Sequence, residues 1–184
     1  MREITGNILD LMFNYDAVCI TTNGFVKSNG ENVMGAGVAG AFKEKYPNLP
    51  LLVGSVIKDC GNHSSYVCTA YHNTDKDYRT TDILTLPTKP SSIEIKTQED
   101  LSLLVHYVRD KYKVGSTVPG FHALSNFALI KRSLEELVIL SKELQLSSIL
   151  LPRPGCSNGG LKWGTQIKYL CESILDNRFT IITL

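Results

Sequence analysis

Short β-branched apolar runs alternate along the chain with longer stretches in which apolar residues recur every three or four positions. The runs predict strands at Arg2–Ile4, Ala17–Thr22, Tyr66–Tyr71, Asp82–Leu86, Ser148–Leu151 and Phe179–Thr183. Several are apolar throughout, which suits strands buried on both faces of a mostly parallel sheet. Leu101, Leu104, Val105, Val108 and Tyr112 follow helical spacing. So do Phe127, Ile130, Leu134, Leu137, Val138 and Leu144, after a cap at Ser125 or Asn126. Gly37–Tyr46 reads as a helix that stops before Pro47, and Trp163–Leu175 as the last helix. Lys113–Gly120 reads as a surface loop between two helices. Strands alternating with helices predict a layered α/β domain.

A length of 184 residues fits one domain, and the pattern is therefore read as residues 1–184 folding together. Hydrophobic residues at 43% and charged residues at 20% place the chain among globular proteins and not disordered ones. A net charge of +1 carries no electrostatic footprint for nonspecific nucleic-acid or membrane binding. The five cysteines show no metal-ligand spacing, so no metal is expected. Cys19, Cys68 and Cys171 lie in apolar runs and read as small buried hydrophobes of a reducing compartment. The N-terminal residues hold no apolar signal segment, and no run reaches the roughly 20 apolar residues of a membrane span. A cytoplasmic protein with no membrane partner is expected.

Two glycine-rich segments change the picture. Gly30-Glu-Asn-Val-Met-Gly35-Ala-Gly37-Val-Ala-Gly40 follows one predicted strand and enters a helix. Pro152-Arg-Pro-Gly155-Cys-Ser-Asn-Gly159-Gly160-Leu-Lys-Trp163 repeats that layout after another. Glycines without Cβ atoms let the backbone approach phosphate oxygens, and free N–H groups at a helix start point at them. The first segment alone is a weak signal, since it matches neither the P-loop nor the dinucleotide fingerprint. A turn with only a packing role fits it equally. Two such loops at the carboxyl ends of parallel strands could hold a diphosphate between them.

Ala17-Val-Cys-Ile-Thr-Thr-Asn23-Gly, Val33-Met-Gly35-Ala-Gly37-Val-Ala and Leu151-Pro-Arg-Pro-Gly155-Cys-Ser-Asn-Gly159-Gly160-Leu-Lys-Trp163, taken in order, resemble the macrodomain family. Ile4-Thr-Gly-Asn7-Ile8-Leu resembles the segment after its first strand. The resemblance implies a three-layer α/β/α fold with a mixed, mostly parallel central sheet, and binding of ADP-ribose. The chain is most similar to a bacterial and phage branch that includes DNA ADP-ribosyl glycohydrolases acting as antitoxins and borders ADP-ribose 1″-phosphate phosphatases. Leu86-Pro-Thr-Lys89 resembles that branch's segment carrying a functional lysine.

The resemblance assigns Lys89 and Asn23 to catalysis at the distal ribose. It assigns Asn7 and Ile8 to the adenine end, and Gly35, Ala36, Gly37 and Val38 to the first phosphate loop. Gly155, Cys156, Ser157, Asn158, Gly159, Gly160 and Leu161 form the second. Relatives commonly carry Asp at the position of Asn7, and some carry an aspartate partner for the lysine at the position of Gly159. Ser157 stands where glycine is usual. Residues 90–120 fit the family poorly and read as an insertion beside the active site. The four histidines are scattered; His122, after Pro119-Gly120-Phe121, could border the site, but none is assigned to it. Trp163 reads as an anchor of the last helix in the core, with stacking on the adenine as the alternative.

The implied activity is hydrolysis of an ADP-ribosyl linkage or of ADP-ribose 1″-phosphate, without a cofactor. The expected partner is ADP-ribose or an ADP-ribosylated small molecule, nucleic acid or protein, met by a monomer. The alternative is a non-catalytic reader or sponge of ADP-ribose-type ligands, which needs the loops but not Lys89.

Overall fold

The computed structural model describes residues 1–74 and 77–183. Its central sheet has six strands: β1 (Arg2–Thr5), β2 (Ala17–Asn23), β3 (Tyr66–Thr74), β4 (Asp77–Lys89), β7 (Ile149–Pro152) and β8 (Phe179–Thr183). They lie in the order β1-β8-β7-β2-β4-β3. Every neighbouring pair is parallel except β4 with β3, which makes β3 the antiparallel edge. A separate two-stranded sheet pairs β5 (Ser92–Glu94) with β6 (Thr117–Pro119).

Alternation along each strand divides the core into two halves. Cys19, Leu84, Leu151 and Ile181 face the side covered by α4 (Phe127–Glu143) and α5 (Lys168–Ile174), where Leu134, Leu137 and Cys171 meet them. Val18, Ile20, Ile83 and Leu150 face the side covered by α1 (Ile8–Leu11), α2 (Gly37–Lys45) and α3 (Leu49–Cys60), where Phe42 and Val53 meet them. The result is helices on both faces of a mixed, mostly parallel sheet. The cysteines are free thiols; Cys19 and Cys171 are buried, whereas Cys68 is half-buried.

All six predicted strands form, and β4 and β3 extend well past the expected ends. Asn126 is the cap of α4, with its side chain accepting from the Leu129 N–H at 2.9 Å. The helix expected from Leu101 to Tyr112 does not form. Two 3-10 turns, Glu99–Leu103 and His106–Lys111, stand there instead. Between them the chain is extended, and Val105 N donates to His122 O at 2.9 Å while Leu124 N donates to Leu103 O at 2.7 Å. Those nonlocal bonds and burial of Leu104, Val105 and Val108 beside Ile95 and Val118 override the helical spacing. Lys113–Gly120 is likewise no simple loop, because Thr117–Pro119 is a strand and Val118 is fully buried.

Helix α3 is a further element that periodicity missed. Its run Leu-Pro-Leu-Leu-Val reads as neither helix nor strand, yet Pro50 falls in the first turn, where a missing N–H costs nothing. The last helix is also split. It begins as a π-helical turn, Trp163–Ile167, before α5.

Candidate functional site

Five parallel strands place their carboxyl ends along one edge, so the segments leaving β1, β8, β7, β2 and β4 share a rim. From β1 to β4 there are four strand intervals, roughly 19 Å at about 4.8 Å each. A cavity of about 740 Å³ runs along this rim. That lies within the range of about 300–1,000 Å³ seen for small-molecule sites. Ile8 and Ile182 line its β1–β8 end, and Lys89 lines its β4 end.

The first glycine segment supplies one wall. Gly35, Ala36, Gly37 and Val38 all line the cavity. Ala36 is the residue that opens α2, and no side chain caps its first turn. The N–H groups of Gly37, Val38 and Ala39 therefore have no intrahelical acceptor. A Cβ on Gly35 would meet nothing within 4 Å, so packing does not require glycine there. At Gly37 the backbone does require it, with φ of +58°.

The second segment supplies the opposite wall, through Gly155, Cys156, Ser157, Asn158 and Gly159. Leu161 N donates to Gly155 O at 3.1 Å and Gly160 N to Ser157 O at 2.9 Å, closing the loop on itself. The N–H groups of Ser157 and Asn158 make no such bond among the described residues. Gly155 and Gly159 are held by contact with α4 and its lead-in: an added Cβ would lie 2.5 Å from Ile130 Cδ1 and 2.2 Å from Ser125 Oγ respectively. The two loops almost touch, since a Cβ on Gly37 would lie 3.2 Å from Asn158 Nδ2. Two rows of amides thus flank the middle of the cavity.

Asn23 and Lys89 end neighbouring strands. Thr22 pairs with Pro87, but Asn23 pairs with Lys89, because a bulge takes up Thr88. In a parallel pair, residues side by side point to one face, and a slip of one position would reverse Lys89. The bulge sets Lys89, and not Thr88, beside Asn23, and both residues line the cavity. Asn23 is 6% exposed. Its Nδ2 donates to Val33 O at 2.9 Å and its Oδ1 accepts from Phe25 N at 3.0 Å. Buried Asn32 donates to Asn23 O at 2.8 Å and to Phe25 O at 2.9 Å. Lys89 is half-buried, and its Nζ makes a long bond of 3.4 Å to Phe121 O. Burial lowers the Lys89 pKa from the usual lysine range, easing the release of a proton.

Not every assigned residue lines this cavity. Asn7 is exposed and caps α1, with Oδ1 accepting from Leu9 N at 2.9 Å; its neighbours Gly6 and Ile8 line the wall instead. Gly160 and Leu161 close the second loop from behind. Other lining residues were not assigned to the site from the sequence. His122 and Tyr107 come from residues 90–124, whose fold brings them to the cavity that Lys89 also lines. Trp163 packs partly against the core yet also lines the cavity, with Nε1 donating to Glu3 Oε2 at 3.1 Å and Arg153 over its ring at 5.0 Å. No local pattern marks these three, because each reaches the rim through nonlocal packing.

No protein-family model and no curated protein matches the sequence. Solved structures do match along the whole chain. The macrodomain of Mycobacterium tuberculosis DarG is 20% identical, with a TM-score of 0.62 over 100% of this chain and 97% of its own. The macrodomain of Thermus aquaticus DarG is 22% identical, with a TM-score of 0.61 and the same coverage. Thermosipho africanus DarTG in complex with ADP-ribose is 17% identical, with a TM-score of 0.61 over 98% of this chain and 41% of its own. The fold of this chain is that of a macrodomain.

Proposed function

From the macrodomain fold and the geometry of the rim, we propose that this protein binds ADP-ribose and hydrolyses a bond at the distal ribose of an ADP-ribosyl compound. The observation that carries this reading is the meeting of two amide-bearing glycine loops across one cavity, with Asn23 and Lys89 brought side by side at its end. The order of the strands then orients the ligand. The adenine lies at the apolar end beside Ile8 and Ile182, and the diphosphate between Gly35–Val38 and Gly155–Gly159. The distal ribose reaches Asn23 and Lys89. Thermosipho africanus DarTG was solved with ADP-ribose, which supports this choice of ligand.

Asn23 can orient a ribose hydroxyl, because its amide is already fixed by Val33 and Phe25. Lys89 supplies the titratable group. Its half-buried ammonium gives up a proton more easily than a solvated one, and stabilises an anion while it holds it. Residues 90–120 act as an insertion that walls this end, and residues 1–184 act as one domain.

The test is calorimetric titration with ADP-ribose, followed by incubation with ADP-ribose 1″-phosphate and with ADP-ribosylated single-stranded DNA. Lys89→Ala is expected to keep ADP-ribose affinity within about fivefold and to lose turnover by about 10²-fold or more. Binding with no turnover of either compound would favour a reader of ADP-ribose. Absence of binding would overturn the assignment.

A further inference from the structure

His122 lines the cavity close to Lys89, and several contacts fix its place. Gly120 lies so tightly on the chain leaving β4 that an added Cβ would sit 1.6 Å from Pro90 O. Gly120 N donates to Ser91 O at 2.8 Å, and Lys89 Nζ reaches the carbonyl of Phe121, the residue before His122. The histidine is therefore anchored to the segment that carries the lysine. Its ring is oriented as well. Nδ1 lies 2.8 Å from the Tyr112 hydroxyl, and the Phe121 ring packs edge-on at 4.3 Å between centroids. Of the two neutral tautomers, the one with Nδ1–H donating to the Tyr112 oxygen leaves the Nε2 lone pair free for the cavity, and it is this form that can act as a base. Phe121 in turn meets Phe25 edge-on at 5.2 Å, which ties the histidine's wall to the chain leaving β2.

The groups acting electrostatically on this imidazole are the ammonium groups of Lys111 and Lys89, and Tyr112 is its hydrogen-bond partner. Burial first, and then these two positive charges, lower its pKa from the ordinary imidazole value of 6.5. The ring is neutral at pH 7. In the second loop, Gly159 offers no side chain to cooperate with Lys89, and Ser125 fills the space beneath it.

We propose that His122 is a catalytic residue of this site, its Nε2 taking a proton from the attacking water while Lys89 gives one to the leaving group. This rests on the hydrolytic reading above. The water oxygen bonds to C1″ as the bond from C1″ to the attached group breaks, and the departing group keeps that electron pair. The water's proton passes to Nε2, and the Lys89 ammonium protonates the departing group. Solvent then returns the proton from the imidazolium to the lysine amine, and both groups are restored. Tyr112 holds the ring in register and is a positioning residue.

The experiment measures kcat, KM and the pH profile for the hydrolysed substrate, with ADP-ribose affinity by calorimetry, for wild type, His122→Asn, His122→Gln and Tyr112→Phe. His122→Asn keeps a polar partner for Tyr112 and removes Nε2. It is expected to lower kcat by about 10²- to 10⁴-fold, with ADP-ribose affinity within about threefold of wild type. The wild-type acid limb, falling below pH 6.5, should vanish in the residual activity of both His122 variants. In Tyr112→Phe that limb should move while most of kcat remains. His122→Gln serves if the asparagine variant fails to fold. Turnover within threefold of wild type in a folded His122 variant would overturn the proposal and leave the hydrolase reading intact. Equal loss of binding and turnover would also overturn it, since His122 would then only bind. Wild-type protein that binds ADP-ribose and turns over neither compound would bring down both.

Discussion

Asn32 offers a sharp test of how the first loop is held. Its side chain is almost wholly buried, at 1% exposure, and its amide nitrogen donates to Asn23 O and Phe25 O. Its own N–H donates to Pro50 O at 2.8 Å, which ties the loop to α3. Asn32→Asp keeps the shape but exchanges those donors for an oxygen. Each carbonyl left without a partner costs about 1–3 kcal/mol, so the pair loses roughly 2–6 kcal/mol before the new charge is counted. For a chain of this size that lowers the melting midpoint by about 4–24 °C, at about 2–4 °C per kcal/mol. The loss should also depend on pH. A buried carboxyl facing two carbonyl oxygens has its folded pKa raised above the unfolded value of about 3.9. Its penalty is therefore smallest below that unfolded value and grows as pH rises toward and through the folded pKa. Thermal unfolding of both proteins from pH 4 to pH 8 measures this directly. With Asn23 loosened, ADP-ribose affinity should fall alongside stability. A variant within 0.5 kcal/mol of wild type, or a penalty indifferent to pH, would refute the argument.

Gly159→Asp should destabilise by about 1–3 kcal/mol through overpacking, since its Cβ would lie 2.2 Å from Ser125 Oγ and 3.0 Å from Ser125 Cβ. Adding Ser125→Gly should recover much of that loss in a double-mutant cycle of chemical denaturation; additive losses would mean that the clash is not the cause. Ser157 carries φ of +58°, so Ser157→Gly should leave stability unchanged or raise it by up to about 1 kcal/mol, whereas Ser157→Val should lower it. Asp16 ties the start of β2 to the start of β7 by accepting from Ser147 N and Oγ and from Ser148 N. Burial raises its pKa, but those hydrogen bonds outweigh it, and the folded value falls below the ordinary 3.8. The stability it contributes is thus present above pH 3.8 and lost as pH falls through the folded value, so Asp16→Asn should flatten the acid limb of a stability–pH curve.

Local chemistry alone specified much of this protein. Continuous apolar runs such as Ala17–Ile20 are best satisfied by burial on both faces, so the central parallel strands were legible. The two glycine loops were legible for the same kind of reason, because Gly37 and Gly155 hold backbone angles that few other residues tolerate. Asn126 capped its helix as its short polar side chain predicts. Other features depended on partners far along the chain. Residues 101–112 carry helical spacing, yet bonds from Leu103 and Val105 to residues 122–124 broke them into two 3-10 turns with extended chain between. Those same bonds delivered His122 to the cavity. Trp163 came to the rim because Glu3, some 160 residues away, receives its Nε1. The alignment of Lys89 with Asn23 turned on one bulged residue, Thr88, and side-chain alternation in either strand by itself contains no record of where their register slips. Apolar patterning and backbone angles are properties of a few neighbouring residues, and the sequence determined them. Register and wall-to-wall contact are relations between distant segments, and only the tertiary structure decided those.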